Sequence, residues 1–164
     1  MSVPDVLAVV ALVLAYGWLA AASVVLAVVD VRTHRLPDRI VLPCYAVGVV
    51  LFAIAAALTS DIGSLLRAVC AAAVLFAAFL LLRMVSPAGL GGGDVKLAGV
   101  LGLFLGRMGW EAVLTGVVAA FLLGGVCALI LIALRRARRS TALPFGPFLL
   151  AGAWCGILTA VVTS

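Results

Sequence analysis

Gly91-Gly-Gly-Asp-Val-Lys-Leu-Ala-Gly-Val-Leu-Gly-Leu-Phe-Leu-Gly106 places three glycines and one carboxylate, Asp94, directly ahead of a ten-residue stretch without a charge, positions 97 to 106. As a helix that stretch covers only about 15 Å, half of a hydrocarbon core. The rest of the chain supplies the reason to think of membranes. Of its 164 residues, 67% are hydrophobic and 10% charged, and the mean hydropathy is +1.41. Soluble domains hold roughly 45 to 50% apolar residues. The composition therefore implies an integral membrane protein.

Apolar runs extend over residues 6 to 29, 40 to 58, 65 to 85, 97 to 106, 111 to 134 and 147 to 163, with short polar or Gly/Pro-containing links between them. Helices satisfy their own backbone in lipid and the runs lack β alternation, so the expectation is an all-α membrane protein. It has about six transmembrane helices in one embedded domain, residues 1–164. Because the fourth is half-length, the Gly-rich loop before it is expected to enter the membrane, where irregular backbone is tolerated only inside protein or beside a water-filled cavity. The first run lacks the basic start of a cleavable signal and is taken as a retained span.

If the links alternate sides, one side collects Arg32, Arg35, Arg39, Arg83, Lys96, Arg135, Arg136, Arg138 and Arg139, against Arg67 and Arg107 on the other. Nine against two makes the first side cytoplasmic and puts both termini outside. The net charge of +5 is thereby explained by orientation, and nucleic acid is not expected as a partner. Cys44, Cys70, Cys127 and Cys155 fall singly in or beside apolar runs, so they read as small buried hydrophobes. No metal or cofactor site is expected.

Both Asp30, which ends the first run, and Asp94 approach from that cytoplasmic side. Acids at membrane depth are costly, about 2.5 to 3.5 kcal/mol at the bilayer centre on insertion scales, and their default reading is functional. Two carboxylates brought close cannot both ionise easily and share a proton. That is the state an aspartic protease uses: one carboxylate activates water while its protonated partner donates to the developing oxyanion. For Asp94 the structural alternative is stabilisation of a helix N-terminus. Gly91, Gly92 and Gly93 offer positive φ and close approach of another backbone, or merely a flexible link. Pro37 stops the first helix, and Asp38 is expected to cap the second ahead of Ile40. Lys96 either tunes the acids or meets lipid phosphate; His34 reads as a solvated loop residue.

Gly91-Gly-Gly-Asp94 fits a Gly-x-Gly-Asp signature, and Gly93-Asp-Val-Lys-Leu97 resembles its extended form in the bacterial type IV prepilin peptidases. The segment from Asp30 to Pro37-Asp38 resembles that family's first catalytic region, and Pro144-Phe-Gly-Pro-Phe148 the motif before its last span. The resemblance implies an intramembrane aspartic endopeptidase, similar in catalytic motif to presenilin-type proteases. Asp30 and Asp94 would be its catalytic pair, with Gly91, Gly93, Lys96, Pro37 and Asp38 in the supporting motifs. It implies cleavage of the leader of type IV prepilin-like precursors at the cytoplasmic face of the cell membrane. Only five residues precede the first apolar run, so the chain resembles the short form. The cysteine-containing N-terminal region of the long form is not expected, and methylation with S-adenosylmethionine is not carried over. A different class stays open on the residues alone: a small ion- or proton-coupled transporter with Asp30 and Asp94 as cation sites. The absence of an internal repeat in the sequence counts against it.

Overall fold

The computed structural model describes residues 2–33, 36–85, 90–134 and 145–163. Among them the chain forms six helices and no strand: α1 Val3–Thr33, α2 Asp38–Thr59, α3 Ile62–Val85, α4 Gly92–Met108, α5 Trp110–Ala133 and α6 Gly146–Thr163. All but α4 are long and apolar enough to cross a membrane, and the protein is an all-α membrane protein. Their outward faces carry exposed valine, leucine and isoleucine, the composition that lipid solvates.

Helix α4 is the exception in burial as well as length. Residues Leu97, Ala98, Gly99 and Val100 through Gly106 are all buried, because α2, α3, α5 and α6 pack round it and Tyr16 of α1 donates to the Phe104 carbonyl at 2.9 Å. A helix apolar on every side belongs at the centre of a bundle. The aromatic rings of Tyr16, Phe52 and Phe104 meet there with centroids 5.1 to 5.9 Å apart.

The short fourth helix is longer than its apolar run of 97 to 106: α4 begins at Gly92 and is about 25 Å long. The Gly91 N–H donates to the Asp94 carboxylate at 3.0 Å, which satisfies one of the orphan donors of a helix start. The polar residues from Gly92 to Lys96 are thus a first turn rather than loop. At about 25 Å the helix still falls short of roughly 30 Å of hydrocarbon. Residues 86–89 of the loop expected to enter the membrane lie outside the described residues, as do His34, Arg35 and the basic run 135–139.

Between apolar helices in lipid, association rests on close backbone packing, and small residues provide it here. A methyl group on Gly102 would lie 2.6 Å from the Ala71 carbonyl oxygen of α3, and one on Gly152 would lie 2.5 Å from both Ala120 N and Gly116 O of α5. The cysteines depart from expectation: only Cys44 is buried, while Cys70 and Cys155 are exposed on outward faces where a thiol is apolar enough for lipid contact. At the end away from Asp94, Gly109 joins α4 to α5 with φ +150, a conformation that favours glycine.

Candidate active site

The C-terminal end of α1 and the N-terminal ends of α2, α4 and α6 gather at one end of the bundle. Asp30 and Asp94, 4% and 7% exposed, are the only buried charged residues among those described. Asp30 lies in the last turn of α1 and Asp94 in the first turn of α4, at that same end of the bundle.

Each carboxylate is held by a backbone N–H at a helix start. Asp94 sits in the first turn of α4 and accepts from Gly91. Asp30, one turn before the end of α1, accepts the N–H of Gly146, the first residue of α6, at 3.1 Å. A helix N-terminus stabilises a carboxylate through its unpaired N–H groups and its dipole. The capping role weighed for Asp94 is therefore real, and it positions the acid as well. Burial strengthens any interaction between them.

The supporting residues are placed differently from their sequence reading. Pro37, with φ −71 and ψ 129, is itself the N-cap of α2, and Asp38 caps nothing. Both Asp38 carboxylate oxygens instead accept from Lys96 Nζ at 2.7 Å, an ion pair between α2 and α4. Lys96 is thus paired with Asp38 rather than free for lipid phosphate. The reason is geometric: Pro37 already has the extended backbone of a cap, which puts Asp38 inside the first turn with its side chain turned toward α4.

The glycines likewise do a different job from the one expected. Gly91 has φ −72, and no residue of 91–93 has positive φ. Their value is proximity: a methyl group on Gly93 would lie 2.7 Å from Leu36 Cβ in the α1–α2 link, and one on Gly92 would collide with the Arg83 guanidinium of α3. Leu36 and Leu90 are both buried at this end of the bundle.

Several contributors escape a linear reading. Gly146 lies within a motif already singled out, yet nothing in sequence says that its N–H meets Asp30 across 116 positions. A glycine followed by Pro147 at the start of an apolar run is the available signal of a helix start. Tyr45 donates to the Lys96 carbonyl at 2.8 Å. Arg67, counted as an orientation charge, donates from Nε to the Gly106 carbonyl at 2.9 Å and so caps the far end of α4.

The model of a family described as the type IV leader peptidase family matches residues 13–129, a span that includes Asp30 and Asp94. A protein of Pseudomonas aeruginosa named prepilin leader peptidase/N-methyltransferase is 31% identical over 150 residues, which is 90% of this chain and 48% of that protein. Proteins of the same name from Aeromonas hydrophila and Burkholderia pseudomallei are 31% identical over 157 residues and 36% identical over 144. They cover 91% and 84% of this chain, and 53% and 43% of their own lengths. The chain spans about half the length of the curated relatives it matches. No solved structure matches it.

Proposed function

The chain belongs to the type IV leader peptidase family, and from that premise we propose that it is an intramembrane aspartic endopeptidase with Asp30 and Asp94 as its catalytic pair. The observation that carries the reading is their placement. They are the two buried charges among the described residues, from separate helices, at one end of the bundle, each anchored by a backbone N–H.

The chemistry follows from one proton shared between two acids. The ionised carboxylate takes a proton from water as the water oxygen bonds to the scissile carbonyl carbon. The protonated carboxyl gives its proton to the carbonyl oxygen, which leaves a neutral gem-diol. Collapse of that intermediate returns a proton to the departing amide nitrogen, breaks the C–N bond and releases acid and amine. Among the described residues the acids are the groups at this end with the burial that such proton sharing requires.

The substrate proposed is a type IV prepilin-like precursor, cut in its leader next to its hydrophobic helix. The orientation count supports a cytoplasmic position for the site and outside termini, and residues 1–164 act as one embedded domain. The peptidase step alone is proposed; the methyl transfer in the relatives' names is not carried over.

Co-expression with a pilin-like precursor, read by gel shift and by the mass of the product, tests this. Wild type is expected to shorten the precursor, and Asp30→Asn and Asp94→Asn to leave it whole. Cleavage by both variants would remove the pair from the chemistry, and a folded wild type that cleaves no precursor would move the acids toward cation binding.

A further inference from the structure

Helix α4 carries Asp94 in its first turn, so the lateral position of that turn sets where the acid stands. Two tyrosines from different helices hold α4 by its backbone. Tyr16 of α1 donates to the Phe104 carbonyl at 2.9 Å, and Tyr45 of α2 donates to the Lys96 carbonyl at 2.8 Å. A buried hydroxyl in lipid must find such a partner, and a carbonyl already in a helix has a second lone pair to offer.

The two ties differ in where they act. Lys96 is two residues beyond Asp94, on the same turn; Phe104 is ten residues beyond, about 15 Å away along the axis. The Tyr45 tie is also built into the opposing helix. A methyl group on Gly99 would overlap the Tyr45 hydroxyl oxygen, which occupies the space that glycine leaves. Among the described residues, the remaining polar link between the starts of α2 and α4 is Lys96 to Asp38, whose side chains are 42% and 54% exposed. A pair so exposed contributes little to holding two helices in register.

Helix α1, which carries Asp30, packs along α2, and Leu36, just ahead of α2, lies against Gly93 in the first turn of α4. Tying α2 to the first turn of α4 therefore fixes the separation of the two acids. We propose that Tyr45 is a positioning residue for the Asp30–Asp94 pair, acting through its hydrogen bond to the Lys96 carbonyl and seated by Gly99. This rests on the peptidase reading.

The test uses the full chain in liposomes, with a precursor that wild type cleaves, and measures kcat, KM and thermal midpoint together. Tyr45→Phe is expected to lower kcat about tenfold or more with KM nearly unchanged, because it loosens a reacting group without touching substrate. Tyr16→Phe loses a hydrogen bond of the same kind to the same helix. It is expected to lower the midpoint comparably while kcat stays within about twofold of wild type.

Gly99→Ala is expected to lower kcat further, and adding Tyr45→Phe to it to restore part of that loss, since the substitution removes the atom the methyl strikes. The Tyr45 assignment is overturned if Asp30→Asn and Asp94→Asn are inactive while Tyr45→Phe turns over at the wild-type rate. Equal losses of kcat in Tyr45→Phe and Tyr16→Phe, or a double variant worse than Gly99→Ala, overturn it too. The peptidase reading fails separately, through cleavage that survives both aspartate substitutions.

Discussion

Gly146→Ala displaces the Asp30 carboxylate while leaving its donor N–H in place. The added methyl would lie 2.5 Å from Asp30 Oδ2 and 3.1 Å from Cγ, while the Gly146 N–H that donates to that oxygen is kept. Ordinary contact to a carbon atom is about 3.5 Å, so the carboxylate has to retreat by about 1 Å. What it meets is the end of a rotatable side chain rather than backbone, so Asp30 moves and α6 stays. Displacing a reacting group by about 1 Å costs on the order of a hundredfold in rate, which is roughly 2.7 kcal/mol of barrier at about 1.36 kcal/mol per decade. The cost in stability is smaller, about 1 kcal/mol for one weakened hydrogen bond. The assay is kcat in liposomes beside a thermal midpoint, with Gly17→Ala and Gly125→Ala as controls, since a methyl group at either meets nothing within 4 Å. Wild-type kcat in Gly146→Ala, or a loss no larger than the fall in folded protein, would refute the reasoning.

Two further substitutions probe the scaffold. Gly152→Ala puts a methyl 2.5 Å from Ala120 N and Gly116 O; these are backbone atoms that cannot rotate away, so α5 and α6 must part. The expected cost is about 1 to 3 kcal/mol in detergent unfolding, and an unchanged midpoint would contradict the packing. Asp61 precedes α3 and accepts the Ser64 N–H at 3.1 Å. Hydrogen bonds from Ser64, with Arg107 and Arg67 adding less, hold its carboxyl below the usual carboxylate range. A depressed folded value means the stabilisation is complete above the unfolded value and disappears as pH falls through the folded one. Asp61→Ala is thus expected to cost about 1 kcal/mol near neutral pH, as other helix caps do, and progressively less below about pH 4. A difference that grows on acidification would reverse the sign and defeat the assignment.

The spans were legible because lipid permits few solutions: an apolar run must be helical, and a Gly-rich entry marks where one starts. Asp30 and Asp94 stood out for a related reason, as charges where charge is expensive. Composition misled at the start of α4, where Gly92 and Gly93 looked like loop but lie in the first turn, whose Asp94 carboxylate satisfies the Gly91 N–H. Asp38 has a good residue type for a cap, but Pro37 took that position, and Lys96 on another helix decided where the side chain went. The contacts of Tyr45, Arg67 and Gly146 were unreadable for one cause. Each acts on a backbone atom of α4 or on a side chain of α1 at least 39 positions away, and such contacts depend on how the helices pack rather than on the order of residues.

The central claim is that Asp30 and Asp94 act as one unit, and a cycle of Asp30→Asn, Asp94→Asn and the double variant on kcat tests it most directly. Groups that share one proton are grossly non-additive, since losing either disables both. All three variants are expected at the same floor, each having lost about a thousandfold or more. A single variant that keeps wild-type turnover, or a double variant whose loss is the product of two partial losses, would contradict the account.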